Sequence, residues 1–211
     1  MLRNVLALIV VLMTSCMGGV TFTTPQPAGE KDLKEIPGRL LGRYVSEDKT
    51  NTIFVAPNLI TRVYDLDITI HKKDIDSTMR LIGDTLITSD SDVFVFTRVG
   101  DSLKTHIHNV DTLYQTGSKY HLRKQKGLYY ISKMIAENQW SVIQLSLSKG
   151  ALTLGSISSL ESIESATEIK ENTQDTAVVN NYEVNPKQFK LIVRNRGFSD
   201  QTKYFRVKGK G

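Results

Sequence analysis

The chain has 211 residues, with 27 Lys plus Arg against 22 Asp plus Glu and a formal net charge of +5 at pH 7. This length is enough for one domain with a sizeable core, and a single cysteine excludes an intramolecular disulfide framework and a zinc site built from several cysteines. The positive balance is too mild for a dedicated nucleic-acid-binding protein, so no nucleic-acid partner is expected.

The first fifteen residues are typical of an export signal. Arg3 is a positive charge near the N-terminus, and residues 5–13 form an uninterrupted apolar run. That run is too short to cross a bilayer as a helix. We therefore predict that residues 1–15 are a signal peptide.

The apolar run ends in Met13-Thr14-Ser15-Cys16, where small residues precede the cysteine. These residues resemble the lipobox of bacterial lipoproteins, although Met13 stands where the commonest form has leucine. The resemblance implies cleavage before Cys16, acylation of its thiol and usually of its new amino group, and hence a lipid anchor in a membrane. Met17, and not aspartate, follows the cysteine. The resemblance therefore favours the outer membrane of the bacterial cell envelope over the inner membrane. An incidental cysteine is the alternative.

Residues 16–29 are rich in Gly, Thr and Pro, and Pro25 and Pro27 disfavour a helix. This composition predicts a lipidated tether that holds the folded part clear of the bilayer. Residues 30–211 are then predicted to form a single β-rich domain.

The dominant pattern from Gly42 onward is period-two alternation broken by turn signals, which is typical of an antiparallel meander. Three dipeptides between apolar runs have the composition of two-residue hairpin loops: Gly83-Asp84, Gly100-Asp101 and Lys149-Gly150. Such a loop determines which residues lie opposite each other. The third loop pairs Leu147 with Leu152, and the second pairs Phe94 with Ile107.

Two segments near the C-terminus have helical signals instead. Residues 158–166 begin with a capping-box pattern, and a second helix is predicted to start after Asn185. Phe189 and Ile192 form the apolar stripe of the second helix, and Gly197 is its expected stop. One or two short helices, followed by a last strand, are therefore expected near the C-terminus.

The patterns Gly42-x-Tyr44 and Gly127-x-Tyr129 each open a run of strands. A glycine followed two residues later by an aromatic residue opens the first strand of many lipocalin-like barrels, so the body of the chain resembles that architecture. The predicted fold is mainly β, an antiparallel meander forming a lipocalin-like barrel or half-barrel. An open sandwich is the alternative.

His106 and His108 form the only H-x-H pattern, and on a strand both side chains point to the same face. The acidic patterns D-x-D at 65–67 and 74–76 offer oxygen ligands, but no spacing places those strands beside the histidines. Lys104 shares the histidine face and repels a cation. The favoured interpretation is a solvent-exposed polar face without metal or cofactor, and metal binding is the secondary hypothesis.

The densest basic stretch contains Lys119, Arg123, Lys124 and Lys126. Such a cluster suits contact with anionic lipid headgroups, an anionic polysaccharide or an acidic partner. The favoured interpretation is a strand with a solvated face followed by a hairpin tip.

No pattern indicates catalysis, so we predict that the protein is not an enzyme. Cys16 is expected to carry the anchor and is then no free nucleophile. Neither G-x-S-x-G nor H-E-x-x-H occurs.

The predicted function is that of a lipid-anchored envelope protein that binds a small apolar ligand or an envelope partner. The alternatives are a structural or interaction lipoprotein with a filled barrel and, as a minority view, an envelope hydrolase. An open apolar pocket of about 300 Å³ or more distinguishes the ligand carrier from the interaction protein.

Overall fold

The computed structural model describes residues 20–76, 78–88, 93–157, 163 and 181–207. Their strands are β1 (Thr21–Phe22), β2 (Gly42–Ser46), β3 (Asn51–Ala56), β4 (Leu59–His71), β5 (Met79–Ile82), β6 (Thr85–Thr88), β7 (Val93–Val95), β8 (Thr97–Val99), β9 (Ser102–Gln115), β10 (Tyr120–Gln125), β11 (Leu128–Ala136), β12 (Gln139–Ser148), β13 (Ala151–Ser156), β14 (Asn181–Tyr182) and β15 (Asp200–Arg206). The helix α1 is Pro186–Arg194, and 3-10 turns lie at Gly38–Leu40 and Lys72–Asp74. The predicted mainly β fold is confirmed.

The described residues fall into two compact units, a smaller one within residues 63–109 and a larger one within residues 20–62 and 110–207. This division differs from the single β-rich domain predicted for residues 30–211. Alternating hydrophobicity marks β4 and β9 as strands, but it does not show that each long strand passes from one core into another.

The larger unit is an antiparallel sheet in the order β10-β11-β12-β13-β15-β2-β3. The predicted pairing of Leu147 with Leu152 across the β12–β13 hairpin is confirmed. Strand β1 pairs antiparallel with β12 and parallel with β14, so the N-terminal segment belongs to the same sheet.

The described strands do not close into a barrel. In the part of the chain that the structure describes, no ladder joins β10 to β9. The free edge of β10 instead receives an N-terminal segment, in which the Leu33 N–H donates to the Leu122 carbonyl at 2.7 Å and Asp32 forms a bridge with Arg123. This cover satisfies part of an edge that would otherwise be open to pairing with another chain.

Strand β11 is buried on both faces, and the larger unit therefore has two clusters of buried side chains. Tyr129 and Ile131 face the first cluster, whereas Tyr130 faces the second, as the period of two requires. Large members of the first cluster are Tyr44, Ile53, Ile60, Tyr114, Leu122, Leu145, Leu152 and Tyr204. Large members of the second are Phe22, Tyr182, Phe189, Ile192 and Phe198.

Helix α1 begins as predicted. The Asn185 side chain accepts hydrogen bonds from the N–H groups of Lys187 and Gln188, and the Gln188 side chain accepts from the N–H of Asn185. This reciprocal capping box satisfies donors that have no partner within the helix.

The end of α1 has the predicted hydrogen bonds, but the residue with left-handed backbone conformation is Arg196 and not Gly197. The Gly197 N–H donates to Ile192 O at 2.8 Å and the Arg196 N–H to Val193 O at 3.2 Å, which is the Schellman pattern. Arg196, with φ of 57°, occupies the left-handed position where glycine is usual. Gly197 is required for another reason, since a Cβ there would lie 2.5 Å from Ile192 Cγ2.

Opposite effects on stability are therefore expected at these adjacent positions. Gly197→Ala should lower the free energy of unfolding by about 1–3 kcal/mol, because the added methyl group overlaps Ile192. Arg196→Gly should raise it by about 0.5–1 kcal/mol, because glycine adopts positive φ without strain. Urea unfolding of both variants checks this pair, and stabilisation by Gly197→Ala would contradict the packing described.

The smaller unit corrects one predicted register. Strand β8 pairs with β9 through the loop at Gly100-Asp101 as expected, but β7 leaves that hairpin and pairs with β6. Phe94 therefore lies opposite Leu86 and not opposite Ile107. The switch occurs at buried Phe96, whose N–H donates to the Asp84 carbonyl at 2.8 Å.

The predicted tether is also corrected. Of residues 16–29, the structure describes 20–29, and these pack into the larger unit. Phe22 is fully buried and pairs with Trp140, and the Gln26 N–H donates to Ser132 Oγ at 2.9 Å. The Pro-rich composition excludes a helix, but contacts with residues more than a hundred positions away leave no local signal.

Several predictions fall on residues that the structure does not describe. They are the signal peptide at 1–15, Cys16 and most of the helix at 158–166, of which Ile163 alone is described and is buried. Among the described helices, none has the length and apolarity needed to cross a membrane.

Candidate functional site

Strands β4 and β9 are neighbours, and polar side chains meet on their exposed face within the smaller unit. His71 Nδ1 lies 2.9 Å from Ser102 Oγ, and Asp67 Oδ1 lies 2.9 Å from His106 Nδ1. Both contacts fit one antiparallel register. Moving four residues back along β4, from His71 to Asp67, corresponds to moving four residues forward along β9, from Ser102 to His106. Side chains on this face of the two strands therefore lie next to each other.

This register brings both histidines of the H-x-H pattern to Asp65. His106 Nε2 lies 2.9 Å from Asp65 Oδ1, and one ligand atom from each of Asp65, His106 and His108 lies within 4.8 Å of the others. All three side chains are exposed, as the predicted polar face requires. The second acidic pattern, at 74–76, contributes no residue to this group, and the Asp76 carboxylate accepts hydrogen bonds from Thr78.

His106 lies between two carboxylates. The hydrogen bond to Asp67 and the negative charges of Asp65 and Asp67 raise the pKa of His106 above its ordinary value, although slight desolvation opposes them. Both ring nitrogens are thus placed to donate to a carboxylate when the ring is protonated. A metal ion at Nε2 would take the place of one proton.

The ligand set of this cluster is chemically suited to a transition metal. Two imidazoles and one carboxylate match the mixed nitrogen and oxygen sites of Zn²⁺, Cu²⁺ or Ni²⁺. Asp67 accepts from the remaining nitrogen of His106, which is the common way to orient a metal-binding imidazole. Lys104 is on the same strand face, but the two carboxylates offset its repulsion of a cation.

The sequence did not show that Asp65 belongs with the histidines. Period-two alternation identifies both segments as strands and assigns the polar residues to one face of each. Pairing between β4 and β9 is a tertiary contact across about forty residues. The one signal in favour of the pairing is charge, since Asp65 and Asp67 alternate on one strand and Lys104, His106 and His108 on the other.

The residues of the basic stretch differ in exposure, and Arg123 is the one whose side chain is mostly buried. Its Nε donates to Asp32 Oδ1 at 2.8 Å and its Nη1 to the carbonyls of Pro25 and Pro27 at 2.6 and 3.0 Å. Only 14% of its side chain is exposed. Arg123 therefore holds the N-terminal segment, and these partners occupy the guanidinium group that was a weak candidate for contact with an anionic surface.

The other three basic residues stay candidates for an anionic surface. Lys119, Lys124 and Lys126 are exposed. The Lys124 ammonium lies 5.8 Å from the centre of the Tyr129 ring, which orients it by a cation–π contact.

The ionisation of Asp32 makes the stability of this region depend on pH. Burial raises the pKa of its carboxyl, but hydrogen bonds and charge from Arg123 and His121 outweigh burial, so the pKa lies below the ordinary 3.8. A carboxyl with a lowered folded-state pKa stabilises the fold above its unfolded pKa, and this stabilisation is lost as pH falls through the folded value.

Asp32→Asn should therefore lower the free energy of unfolding at pH 7 by about 1 kcal/mol, a figure kept small because Asp32 is half exposed. The difference from the unmodified protein should narrow as pH falls below 3.8. Urea unfolding at several pH values measures it, and a difference independent of pH would show that the carboxylate charge is not responsible.

The first cluster of the larger unit is packed with large side chains, whereas a groove of about 310 Å³ lies outside it, between α1 and the turn from β10 to β11. Three of the groove's residues are apolar and three are basic: Leu128, Leu191 and Val193, and Lys126, Lys190 and Arg194. The groove is thus a surface feature beside the helix.

No protein-family model, curated protein or solved structure matches the chain.

Proposed function

We propose that the protein is a lipid-anchored component of the bacterial cell envelope, held in the outer membrane by Cys16. In this proposal it has no catalytic role and presents its surface to an envelope partner. The lipobox-like residues before Cys16 support the anchor. The observation that carries the choice of function is the large number of bulky side chains buried in the first cluster of the larger unit.

In the first cluster, aromatic side chains occupy the interior, where a carrier of a small ligand would need a cavity. Tyr44 and Tyr129 are 0% and 2% exposed and belong to the same cluster. Pockets for small ligands are clefts of about 300–1,000 Å³ lined mainly by apolar side chains. The groove beside α1 reaches the lower limit, but it lies at the surface and carries three basic residues. These features favour the interaction protein over the carrier of a small apolar ligand.

A lipocalin-like half-barrel is part of the same proposal. Gly42, with φ of 141°, opens β2, and buried Tyr44 follows two residues later. The Arg206 guanidinium lies 4.9 Å from the centre of the Tyr44 ring and donates to the Arg39 carbonyl at 2.6 Å. These contacts join the last strand to the 3-10 turn that precedes β2.

Mass spectrometry of the protein extracted together with native lipids tests this function. We expect a chain that begins at Cys16 with two or three acyl chains, and no small molecule bound in stoichiometric amount. A Cys16→Ser variant should lack the acyl mass. An unprocessed, unacylated chain would overturn the anchor, and a stoichiometric apolar ligand would overturn the filled-core interpretation in favour of a carrier.

A further inference from the structure

We propose that Asp65, His106 and His108 form a binding site for a divalent transition metal of the Zn²⁺ class, with Asp67 orienting His106. This inference goes beyond the proposed envelope function and does not depend on the anchor. It rests on three ligand atoms gathered on one exposed face of the β4–β9 pair.

The spacing of the ligand atoms is close to that of a coordination sphere. With Zn–N and Zn–O bonds of about 2.0–2.2 Å, two ligands of a tetrahedral ion lie about 3.3 Å apart. His106 Nε2 and Asp65 Oδ1 are 2.9 Å apart, and all three ligand atoms lie within 4.8 Å of one another. A pair of ligand atoms at the 4.8 Å limit has to close by about 1.5 Å, which exposed side chains achieve by torsion.

The strands hold the ligands in place. His106 and His108 are two residues apart on β9, so their imidazoles project from the same face, and Asp65 comes from the neighbouring strand. Ligands on paired strands are positioned more rigidly than ligands on loops.

Asp67 contacts the ring nitrogen of His106 that does not face Asp65. It accepts a hydrogen bond from His106 Nδ1 at 2.9 Å, and this leaves Nε2 of the same ring to face Asp65. Partners of this kind typically contribute a factor of about 10–100 to metal affinity.

The chemistry of the ligands determines the class of metal. Imidazole nitrogens favour Zn²⁺, Cu²⁺ and Ni²⁺, whereas Mg²⁺ and Ca²⁺ require oxygen ligands in larger number. Three protein ligands leave at least one position for water or for a group from another molecule. The competing explanation is that protonated His106 merely forms ion pairs with two carboxylates.

Titration calorimetry of the purified full-length protein with Zn²⁺ separates these explanations. We expect one Zn²⁺ per chain, and an affinity at least about 10-fold weaker in His106→Ala and His108→Ala. Asp67→Asn should weaken binding by about 10–100-fold, because the imidazole loses its orienting carboxylate. The matched control is His71→Ala, which removes a histidine of the same face that contacts Ser102 instead. It should leave Zn²⁺ affinity unchanged, and Mg²⁺ should not compete.

Thermal unfolding provides a second measurement. The four substituted residues, Asp67, His71, His106 and His108, are exposed. All variants should therefore unfold at the same temperature in the presence of a chelator. Zn²⁺ should raise the unfolding temperature of the unmodified protein by more than that of His108→Ala at the same Zn²⁺ concentration. The proposal is overturned if the unmodified protein binds no Zn²⁺, or if His71→Ala weakens binding as much as His108→Ala does.

Discussion

Replacing Phe189 with alanine is expected to lower the free energy of unfolding by about 3–5 kcal/mol. Phe189 is fully buried in α1. Its ring centre lies 5.2 Å from that of Tyr130, 6.1 Å from that of Phe198 and 6.2 Å from that of Phe22. Truncation thus removes three edge-on or near edge-on aromatic contacts in addition to the buried apolar area.

The effect is large because Phe189 joins elements that are distant in sequence. Its three ring partners come from β1, β11 and the segment after α1. Loss of the ring leaves a cavity between the helix and the sheet and removes the contact between α1 and Phe22 of β1. We therefore expect the Thr23 N–H, which donates to the Tyr182 carbonyl, to lose protection against hydrogen exchange.

Urea unfolding with hydrogen exchange measures both consequences. The matched control is Lys190→Ala, since Lys190 is the next residue of the same helix and is exposed. Its expected effect is within about 0.5 kcal/mol. A change below about 1 kcal/mol for Phe189→Ala would mean that this aromatic cluster does not hold α1 to the sheet.

Features with local causes were predictable from the sequence. The start of α1 follows from the side chain of Asn185 and the residues just after it, so its capping box was found without knowledge of the fold. The pairing of Leu147 with Leu152 follows from a two-residue loop. In both cases the determining residues lie within about five positions of one another.

Features with long-range causes were not predictable. Arg123 has the composition of an exposed basic strand, yet its partner Asp32 is 91 residues away. Phe94 alternates correctly for pairing with Ile107, but burial of Phe96 turns the chain into another sheet. For the candidate metal site, the sequence identified both histidines but not the strand that supplies Asp65.

The packing of residues 20–29 changes what the proposed lipid anchor implies. Val20 is the first described residue and is buried, and only four peptide units separate it from Cys16. Even fully extended, four residues span about 14 Å at most. If Cys16 is acylated, the β1 end of the larger unit lies close to the bilayer surface, whereas the predicted tether would have allowed about three times that distance.

Trp140, the single tryptophan, makes this distance measurable. It lies opposite Phe22 of β1, near the anchored end. In vesicles, we expect efficient energy transfer from Trp140 to an acceptor dye on lipid headgroups.

Inserting twenty Gly and Ser residues between Met17 and Val20 adds a flexible chain of about 25 Å root-mean-square length, so transfer should fall several-fold. The same insertion after Val207 is the control and should leave transfer unchanged. Equal transfer with and without the N-terminal insertion would show that another contact, and not the short linker, holds this end at the membrane.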